Sequence, residues 1–537
     1  MKILNKIKSN KLEALWFISL IFAVSFKIIR IDTIPAGFNI DELGSVYDAW
    51  SLLNYGVDRW RMSWPVYFLN YGSGQNALYT YMLIPLFSLF GISQTVIHTP
   101  SLLSSFLLLF GGCGIIRLCW SERWGIGSRK VAVILYTILY GIAPYTQLSA
   151  RFGLESLLML GFSTFSIFLL MFSVKTQKTL FFVLTGIFFG LTLYTYAIAY
   201  IAVPVFLLIA AILLIKSGTV HFKNAIALAI PLLCLSIPLV LVQIVNIFGL
   251  DSILLGPFTI PRLIGYRASE LSFSNIPTNL FLTIKSMLFF DALDYNTVEK
   301  YWTFYPVSVP FFFLGLIKHF SLMMSDKKSK WAPSSLVFIW FAIMLFIGCL
   351  LGKHGESGIN PNTNKINGIF FSTMFYIVLG ISYAFHNWKS TGWKKIAASL
   401  LVLLYTVFSV HFSHFYLHYF HPSTYWCHLF PDTIHFVEQS EALSQKPVYA
   451  EDYYISYLIS SLPSPYEIEF KDNLTSQSFN NWHFENYYTD FAGLIRDNGK
   501  NASYLIHYPP AEILDYFESE GFQSYEEGYY QLFYCLK

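Results

Sequence analysis

Charged residues are scarce in this sequence. Of its 537 residues only 12% are Asp, Glu, Lys or Arg, whereas 55% are hydrophobic and 19% aromatic, and the mean hydropathy is +0.50. No soluble globular class has this composition. The scarcity of charge therefore excludes a wholly soluble protein and predicts a polytopic membrane protein.

Cysteine is rare as well, with six residues in the chain. Four of them lie in or beside apolar runs, where a small apolar thiol packs easily: Cys113, Cys119, Cys234 and Cys349. Only Cys427 and Cys535 lie elsewhere, and a disulfide between them stays an open alternative because sequence spacing does not show that two thiols meet. The cysteines therefore say little about the fold.

Apolar runs long enough to cross a hydrocarbon core of ~30 Å recur along the chain. They predict about eleven spans, at residues 13–30, 98–118, 131–147, 156–174, 179–197, 199–215, 224–247, 304–320, 334–352, 367–385 and 396–412. One further apolar stretch, 77–92, is ambiguous.

The positive-inside rule decides how 77–92 is interpreted. If this stretch does not span, the short loops on the cytoplasmic side contain many Lys and Arg residues and only two acidic ones, Glu122 and Asp326. If it does span, most of these basic loops lie outside, which the rule disfavours. We therefore interpret 77–92 as an interfacial or re-entrant helix in a multi-pass protein of the cell (inner) membrane, with a retained first span, a cytoplasmic N-terminus and an outer C-terminus. The net charge of +3 reflects this loop bias, so we expect no nucleic-acid partner.

The composition changes after the last span. Residues 430–537 hold most of the acidic residues and no further span. Strand patterns at 447–450 and 502–507 and a helical pattern at 510–520 predict a small α/β unit there. The predicted fold class is an all-α polytopic membrane protein with a small C-terminal extracytoplasmic α/β domain. Its predicted domains are 1–412, which includes a long first outer loop at 31–97, and 413–537.

Asp41 and Glu42 stand out because they follow the first span directly. Acidic residues near a bilayer are costly unless they serve a function. The pair leads into a short helical pattern at the predicted outer edge of the membrane, which is a suitable place for a general base. Asp41 is our candidate for the base, with Glu42 orienting it or helping to bind a divalent metal.

Three other outer loops carry candidate residues. Arg151 and Glu155 stand four apart at the start of a span, so we expect them to share a helix face. They form either an interfacial ion pair of little effect on stability or a site in which Glu155 faces the same cavity as Asp41 and Glu42. Arg262 and Arg267 lie in an aromatic, proline-bounded stretch and suit a phosphate or lipid headgroups. Lys353 lies in a Gly-rich loop that suits an anion or is a flexible turn.

Histidines recur at three- and four-residue steps near the last span, at His411, His414, His418 and His421. Such spacing suits a metal site on one helix face. The stretch is also interleaved with Phe and Tyr and ends at Pro422, which is typical of a membrane interface, and we favour that interpretation.

These residues together resemble the GT-C membrane glycosyltransferases, especially glycosyltransferase family 39, with its protein O-mannosyltransferases and lipid A aminoarabinose transferases. The resemblance covers about residues 10–215 and depends on four stretches: Asp41-Glu42, the long aromatic loop with 77–81 and 90–93, 151–155, and 190–196. Two positions depart from the family pattern. Glu155-Ser156 replaces a frequent Asp-Pro, and the stretch 74–77 lacks the Lys that aminoarabinose transferases have before the interfacial helix.

The resemblance implies the roles of the candidates. The first-loop acid, here Asp41, acts as base or organises the acceptor, and Glu155 matches a second acid that binds metal or acceptor. Glu42 stands beside the base. Since the family's Lys is missing, the candidates for the donor phosphate are Arg151, Arg262, Arg267 and Lys353.

The function that follows is transfer of a sugar from a polyprenyl-phosphate donor to an acceptor hydroxyl on a glycan, lipid or protein, outside the membrane and with inversion. Membrane lipid is a further partner, and a divalent metal bound by Asp41 and Glu155 is the candidate cofactor. The alternatives are a transporter or flippase for lipid-linked sugars and a non-catalytic relative used in envelope assembly. Transporters place polar groups near the midplane, whereas here the acids gather at one face.

Overall fold

The structure is a computed structural model of the whole chain. It describes residues 2–35, 37–70, 73–121, 125–263, 271–289, 298, 301–325, 334–351, 361–419, 427–428, 439–440, 442–443, 446–451, 462–471, 476–479, 481–485, 490–506, 509–527 and 530–535.

Helices make up most of the described chain. They are α1 (Lys2–Ile28), α2 (Ile40–Tyr55), α3 (Leu78–Phe90), α4 (Gln94–Cys119), α5 (Arg129–Ile142), α6 (Pro144–Leu148), α7 (Glu155–Thr176), α8 (Thr179–Leu193), α9 (Ala199–Lys216), α10 (Phe222–Ile247), α11 (Ile276–Leu288), α12 (Val309–Ser325), α13 (Ser335–Leu350), α14 (Phe370–Asn387), α15 (Thr391–His418), α16 (Phe491–Asn498) and α17 (Ala511–Ser519). A helix lies at each of the eleven predicted spans. In the described residues, seven helices are long and apolar enough to cross a membrane.

Several apolar helices are shorter than a membrane is thick. α3 has 13 residues, and α8 and α13 have 15 and 16. At 1.5 Å per residue, α3 is about 20 Å long, against a hydrocarbon core of ~30 Å. The interfacial interpretation of 77–92 stays a prediction, because short helices also lie at predicted spans.

The chain divides into two compact units, the first formed by residues 1–34, 93–240 and 267–420. Glycines let its helices approach closely, as is common between membrane helices. A Cβ on Gly161 of α7 would meet the carbonyl of Ser104 on α4 at 1.9 Å, and Gly315 and Gly380 bring α12 and α14 together in the same way. Side chains larger than hydrogen do not fit at these three positions.

The second unit contains residues 35–92, 241–266 and 421–537. Its strands are β1 (Phe38–Asn39), β2 (Tyr67–Asn70), β3 (Ser73–Asn76), β4 (Ile253–Leu255), β5 (Phe258–Ile260), β6 (Cys427–His428), β7 (Val448–Glu451), β8 (Glu469–Lys471), β9 (Ser476–Phe479), β10 (Trp482–Glu485), β11 (Ser503–Ile506), β12 (Gln523–Glu527) and β13 (Tyr530–Tyr534). A seven-stranded sheet has the order β12-β13-β11-β7-β10-β9-β8, with β7 parallel to β10 and β11. The predicted C-terminal α/β fold is confirmed.

The core of this C-terminal sheet is aromatic. Phe517 of α17 stacks on Phe533 of β13, with ring centroids 4.3 Å apart, and Tyr504 of β11 is fully buried beside them. Such ring pairs add to the stability that burial supplies. Cys535 is a free cysteine.

Residues of the first predicted outer loop bind C-terminal residues within this second unit. The Tyr47 hydroxyl donates to the carbonyl of Pro463 at 2.7 Å, and Arg61 donates to the carbonyls of Pro465 and Ile468 at 3.0 and 2.5 Å. β1 also pairs with β6 in antiparallel orientation. The loop that carries Asp41 is therefore folded, and contacts with residues more than 380 positions away help to stabilise it.

Candidate active site

Asp41 and Glu42 form the first turn of α2. Asn39 is the N-cap: its side chain accepts from the backbone N–H of Asp41 at 2.9 Å, and its own N–H donates to the Glu42 carboxylate at 2.7 Å. This reciprocal arrangement is a capping box, and negative charge here is favoured by the helix dipole. Glu42 is fully buried in this role. The capping box therefore fixes the backbone of Asp41 at the start of α2.

The Asp41 side chain is half-buried and is held by a neighbouring hairpin. Asn70, at the end of β2, donates its side-chain N–H to Asp41 Oδ1 at 2.8 Å. Gln75, on the paired strand β3, donates to the Asp41 carbonyl at 3.2 Å and to Ser45 Oγ at 3.1 Å. The β2–β3 hairpin thus orients both the side chain and the backbone of Asp41.

A buried ion pair lies behind Asn70. Arg59 and Asp48 are 1% and 0% exposed, and the guanidinium donates to both carboxylate oxygens, at 3.1 Å from Nε and 2.9 Å from Nη2. Arg59 Nη2 also lies 3.4 Å from Asn70 Oδ1. Because Arg59 only donates, it requires the oxygen of the Asn70 amide on its own side, which turns the amide N–H₂ toward Asp41.

A second buried carboxyl, Asp58, lies close to this ion pair. Its Oδ1 accepts from the backbone N–H groups of Trp60 and Met62 at 2.9 and 2.8 Å. Burial raises the pKa of Asp58 well above its usual value, and the nearby charge of Asp48 raises it further. Burial also raises the pKa of Asp48, but there the Arg59 guanidinium opposes the rise. Arg59 therefore favours the charged form at Asp48, and Asp58 is the carboxyl that protonates more readily.

Gly44 makes room for the guanidinium. A Cβ at this position would lie 2.7 Å from Arg59 Nη2 and 3.3 Å from Asn70 Oδ1. We expect Gly44→Ala to destabilise the protein by about 1–3 kcal/mol through overpacking, although Ala is the better helix former by about 1 kcal/mol. The measurement is the thermal midpoint in detergent, with Gly392→Ala as control, because a Cβ there meets no atom within 4 Å. Equal midpoints for the two variants would contradict this role of Gly44.

Arg151 and Glu155 belong to the other unit. The helix α7 begins at Glu155, so Arg151 lies ahead of it and the predicted shared helix face is wrong; residues 152–154 are not helical. The Arg151 guanidinium is buried and donates to the carbonyls of Phe26, Ile29 and Ile34 at 2.9, 2.7 and 3.3 Å. These carbonyls surround the end of α1, where cations complement the helix dipole.

The surroundings of Glu155 and of the α1 terminus are polar. Beside Glu155, Ser156 bonds to the side chains of Asn364 and Asn367. Lys27 is buried near the end of α1, where it donates to the Tyr140 carbonyl at 3.1 Å and to Thr146 at 3.0 Å. Polar contacts of this kind stabilise charged or polar groups that burial would otherwise penalise.

Of the remaining phosphate candidates, the structure describes only Arg262. Its guanidinium is half-exposed and lies 3.3 Å from the carboxylate of Asp251, in the same unit as Asp41. Arg267 and Lys353 lie outside the described residues. An exposed ion pair contributes little to stability. Exchanging Asp251 for another anion therefore costs Arg262 little free energy.

The described residues do not gather a metal centre. Among them, no group of three His, Cys, Asp or Glu side chains is placed to hold a metal ion, and Asp41 and Glu155 belong to different units. The described histidines near the end of α15 have aromatic neighbours: His411 bonds to the Tyr301 hydroxyl at 2.8 Å, and the His414 ring contacts those of His418 and Tyr419. His421 lies outside the described residues.

Sequence reasoning missed the residues that orient Asp41. In the sequence, Asp48, Arg59, Asn70 and Gln75 are polar residues of the long first loop at 31–97, and their spacing does not link them to Asp41. Asn70 lies 29 positions from Asp41, and only the packing of the β2–β3 hairpin against α2 brings the two together. Even a pattern of period 2 over residues 67–70 would have indicated only a strand, without showing which part of the chain lies next to it.

The chain has the GT-C fold of membrane glycosyltransferases, and the predicted fold class is confirmed. ArnT from Cupriavidus metallidurans bound to undecaprenyl phosphate superposes with a TM-score of 0.56 at 11% identity, over 96% of this chain and 97% of that one. Archaeal oligosaccharyltransferase AglB from Archaeoglobus fulgidus, in complex with an inhibitory peptide and a dolichol-phosphate, gives 0.52 at 12%, over 84% and 64%. No family model and no curated protein matches the sequence significantly. Identities this low establish the fold alone.

Proposed function

We propose that this protein is a glycosyltransferase that moves a sugar from a polyprenyl-phosphate donor to an acceptor hydroxyl on the extracytoplasmic side of the membrane. The observation that carries the proposal is the Asp41 carboxylate, which begins a capped helix and accepts a hydrogen bond from an Asn whose own orientation is determined by a buried ion pair. Such a supporting shell is typical of a preorganised site rather than of a surface cap.

The chemistry assigns one step to Asp41. The acceptor oxygen attacks the anomeric carbon, its proton passes to the Asp41 carboxylate, and the bond between the anomeric carbon and the phosphate oxygen breaks. The leaving group is polyprenyl phosphate, and direct displacement inverts the anomeric centre. The Asn70 bond holds Asp41 in one orientation before the acceptor arrives, which lowers the entropic cost of reaching the transition state.

Positive charge must stabilise the departing phosphate. Arg262 is the described candidate in the same unit as Asp41, and its exposed partner Asp251 is easily exchanged for a phosphate. Arg267, Lys353 and Arg151 remain candidates, of which Arg151 already donates to three backbone carbonyls. Glu155 is the candidate for a second acid, toward the acceptor.

The fold supports a lipid-linked donor. ArnT and AglB have been seen with undecaprenyl phosphate and dolichol-phosphate, and both share this fold. We place the N-terminus in the cytoplasm and the C-terminal domain outside, as the basic loops indicate. The acceptor is a hydroxyl of a glycan, lipid or protein.

The experiment that tests this function is a donor-cleavage assay. The purified protein in proteoliposomes is given polyprenyl-phosphate sugars labelled in the sugar, together with envelope glycan, glycolipid and peptide acceptors. We expect free polyprenyl phosphate to appear together with a labelled acceptor product of inverted configuration. Transport of intact donor across the bilayer without cleavage would instead identify a flippase, and neither reaction with any acceptor would identify a non-catalytic relative.

A further inference from the structure

The β4–β5 hairpin, residues 253–260, presents an apolar surface to its surroundings. Leu254 is 73% exposed, Leu255 46% and Phe258 43%, and no side chain of β4 is buried. Exposed leucines scattered singly are ordinary, whereas a contiguous group marks an interaction surface. Gly256, at φ +61°, begins the two-residue turn, so the tip of the hairpin consists of the apolar residues at 254–258.

The hairpin continues directly from a membrane span. α10 is long and apolar enough to cross a bilayer, and it ends at Ile247, with Gly249 in the left-handed conformation that terminates helices. The side chains of Ile247 and Phe248 are exposed and apolar, as on a lipid-facing helix end. Five residues separate Ile247 from β4, so the two lie no more than about 20 Å apart.

Charge is confined to the base of the hairpin. Asp251 precedes β4, Arg262 follows β5, and they form an exposed ion pair at 3.3 Å. An apolar tip with a charged base suits the boundary between acyl chains and headgroups. A depth at the centre of the bilayer is excluded, because a two-stranded ribbon with an open edge needs water or headgroups for its backbone groups.

The other edge of the hairpin binds the loop of the candidate active site. The N–H of Thr259 donates to the Ser63 carbonyl, and the N–H of Val66 donates to the Thr259 carbonyl, both at 3.0 Å. Val66 leads directly into β2, whose last residue, Asn70, holds Asp41. The hairpin is therefore joined to the residue that holds Asp41 by two backbone hydrogen bonds and the four-residue strand β2.

We propose that the tip of the β4–β5 hairpin inserts into the acyl-chain boundary of the bilayer and anchors the loop that carries Asp41 at the membrane surface. The partner is bilayer lipid, and the contact requires no donor or acceptor substrate. Continuity with α10 and the position of the charged base favour lipid over a second protein surface.

Site-directed spin labelling tests this contact directly. Leu254→Cys is labelled with a nitroxide in a background whose native cysteines are replaced, and the full chain is placed in nanodiscs of phosphatidylcholine and phosphatidylglycerol. Collision rates are measured with oxygen, which partitions into lipid, and with a water-soluble nickel complex. Leu208→Cys, exposed on the span α9, serves as lipid reference, and Ser519→Cys, exposed on α17, as water reference.

We expect the ratio of oxygen to nickel accessibility at position 254 to be several-fold higher than at the water reference, position 519. It should be lower than at the lipid reference, position 208, because the tip of the hairpin enters the bilayer only to a shallow depth. A ratio equal to that at 519 would overturn the proposal. Low accessibility to both reagents would show that protein covers the tip, which also overturns it. Phe258→Cys repeats the measurement should Leu254→Cys fail to fold.

Discussion

Asp41→Asn is expected to lower the kcat of sugar transfer by about 100-fold to 10,000-fold, the range that a positioned general base contributes. The substitution keeps the size of the side chain and an oxygen that can accept from Asn70, so the capped start of α2 should persist. What disappears is the carboxylate that we propose takes the acceptor proton. The measurement is release of polyprenyl phosphate by purified protein with saturating donor and acceptor.

The matched control is Asp515→Asn, the same change on an exposed face of α17. We expect this variant to match the parent protein, and the thermal midpoints of all three proteins to agree closely. Full activity in Asp41→Asn would remove Asp41 from the mechanism and leave Glu155 as the candidate base. In that case Glu155→Gln, assayed in parallel, would be the variant that loses transfer activity.

Asn70 acts as a positioning residue for Asp41, and its replacement separates orientation from proton transfer. In Asn70→Ala the carboxylate is still present but no longer held at 2.8 Å, so a smaller loss of kcat is expected than in Asp41→Asn. The KM for the donor should stay unchanged, because Asn70 contacts the carboxylate rather than the phosphate candidates. A raised donor KM with constant kcat would assign Asn70 to donor binding.

Breaking the buried pair of Asp48 and Arg59 is expected to have the largest effect on stability. Replacing one partner leaves the other charge buried without its counter-ion, which costs about 3–5 kcal/mol. Both residues are fully buried and joined by several hydrogen bonds, so solvent screens little of this penalty. We therefore expect a marked fall in thermal midpoint for Asp48→Leu and for Arg59→Met.

The double variant Asp48→Leu with Arg59→Met is the control for this prediction. Since a buried ion pair often replaces well with apolar residues, the double variant should be more stable than either single variant. Its activity should nevertheless stay low, because the guanidinium that orients the Asn70 amide is gone. If the destabilisation of the double variant equals the sum of those of the two single variants, the pair does not act as a unit.

The membrane spans could be predicted from the sequence because they depend on a local property. A bilayer requires about 20 apolar residues in succession, and such runs identify a span without knowledge of its neighbours. The same holds for Asp41, which is conspicuous only because charge is scarce, and for β7, β11 and α17, whose patterns are short and regular. The sequence does not predict α11, which lies in the outer loop between the predicted spans 224–247 and 304–320. A polar loop can contain a helix that packs against another, here α13.

The environment of Asp41, in contrast, is determined by the tertiary structure. The sequence alone determined that this protein is a polytopic membrane protein with an acidic pair after its first span, since hydropathy and charge are properties of short segments. Only the folded chain decided that Glu42 caps a helix, that Asn70 and Arg59 lie behind Asp41, and that Arg151 binds the end of α1. These contacts join residues 3 to 125 positions apart, and most depend on strand register and helix packing, which no local pattern specifies.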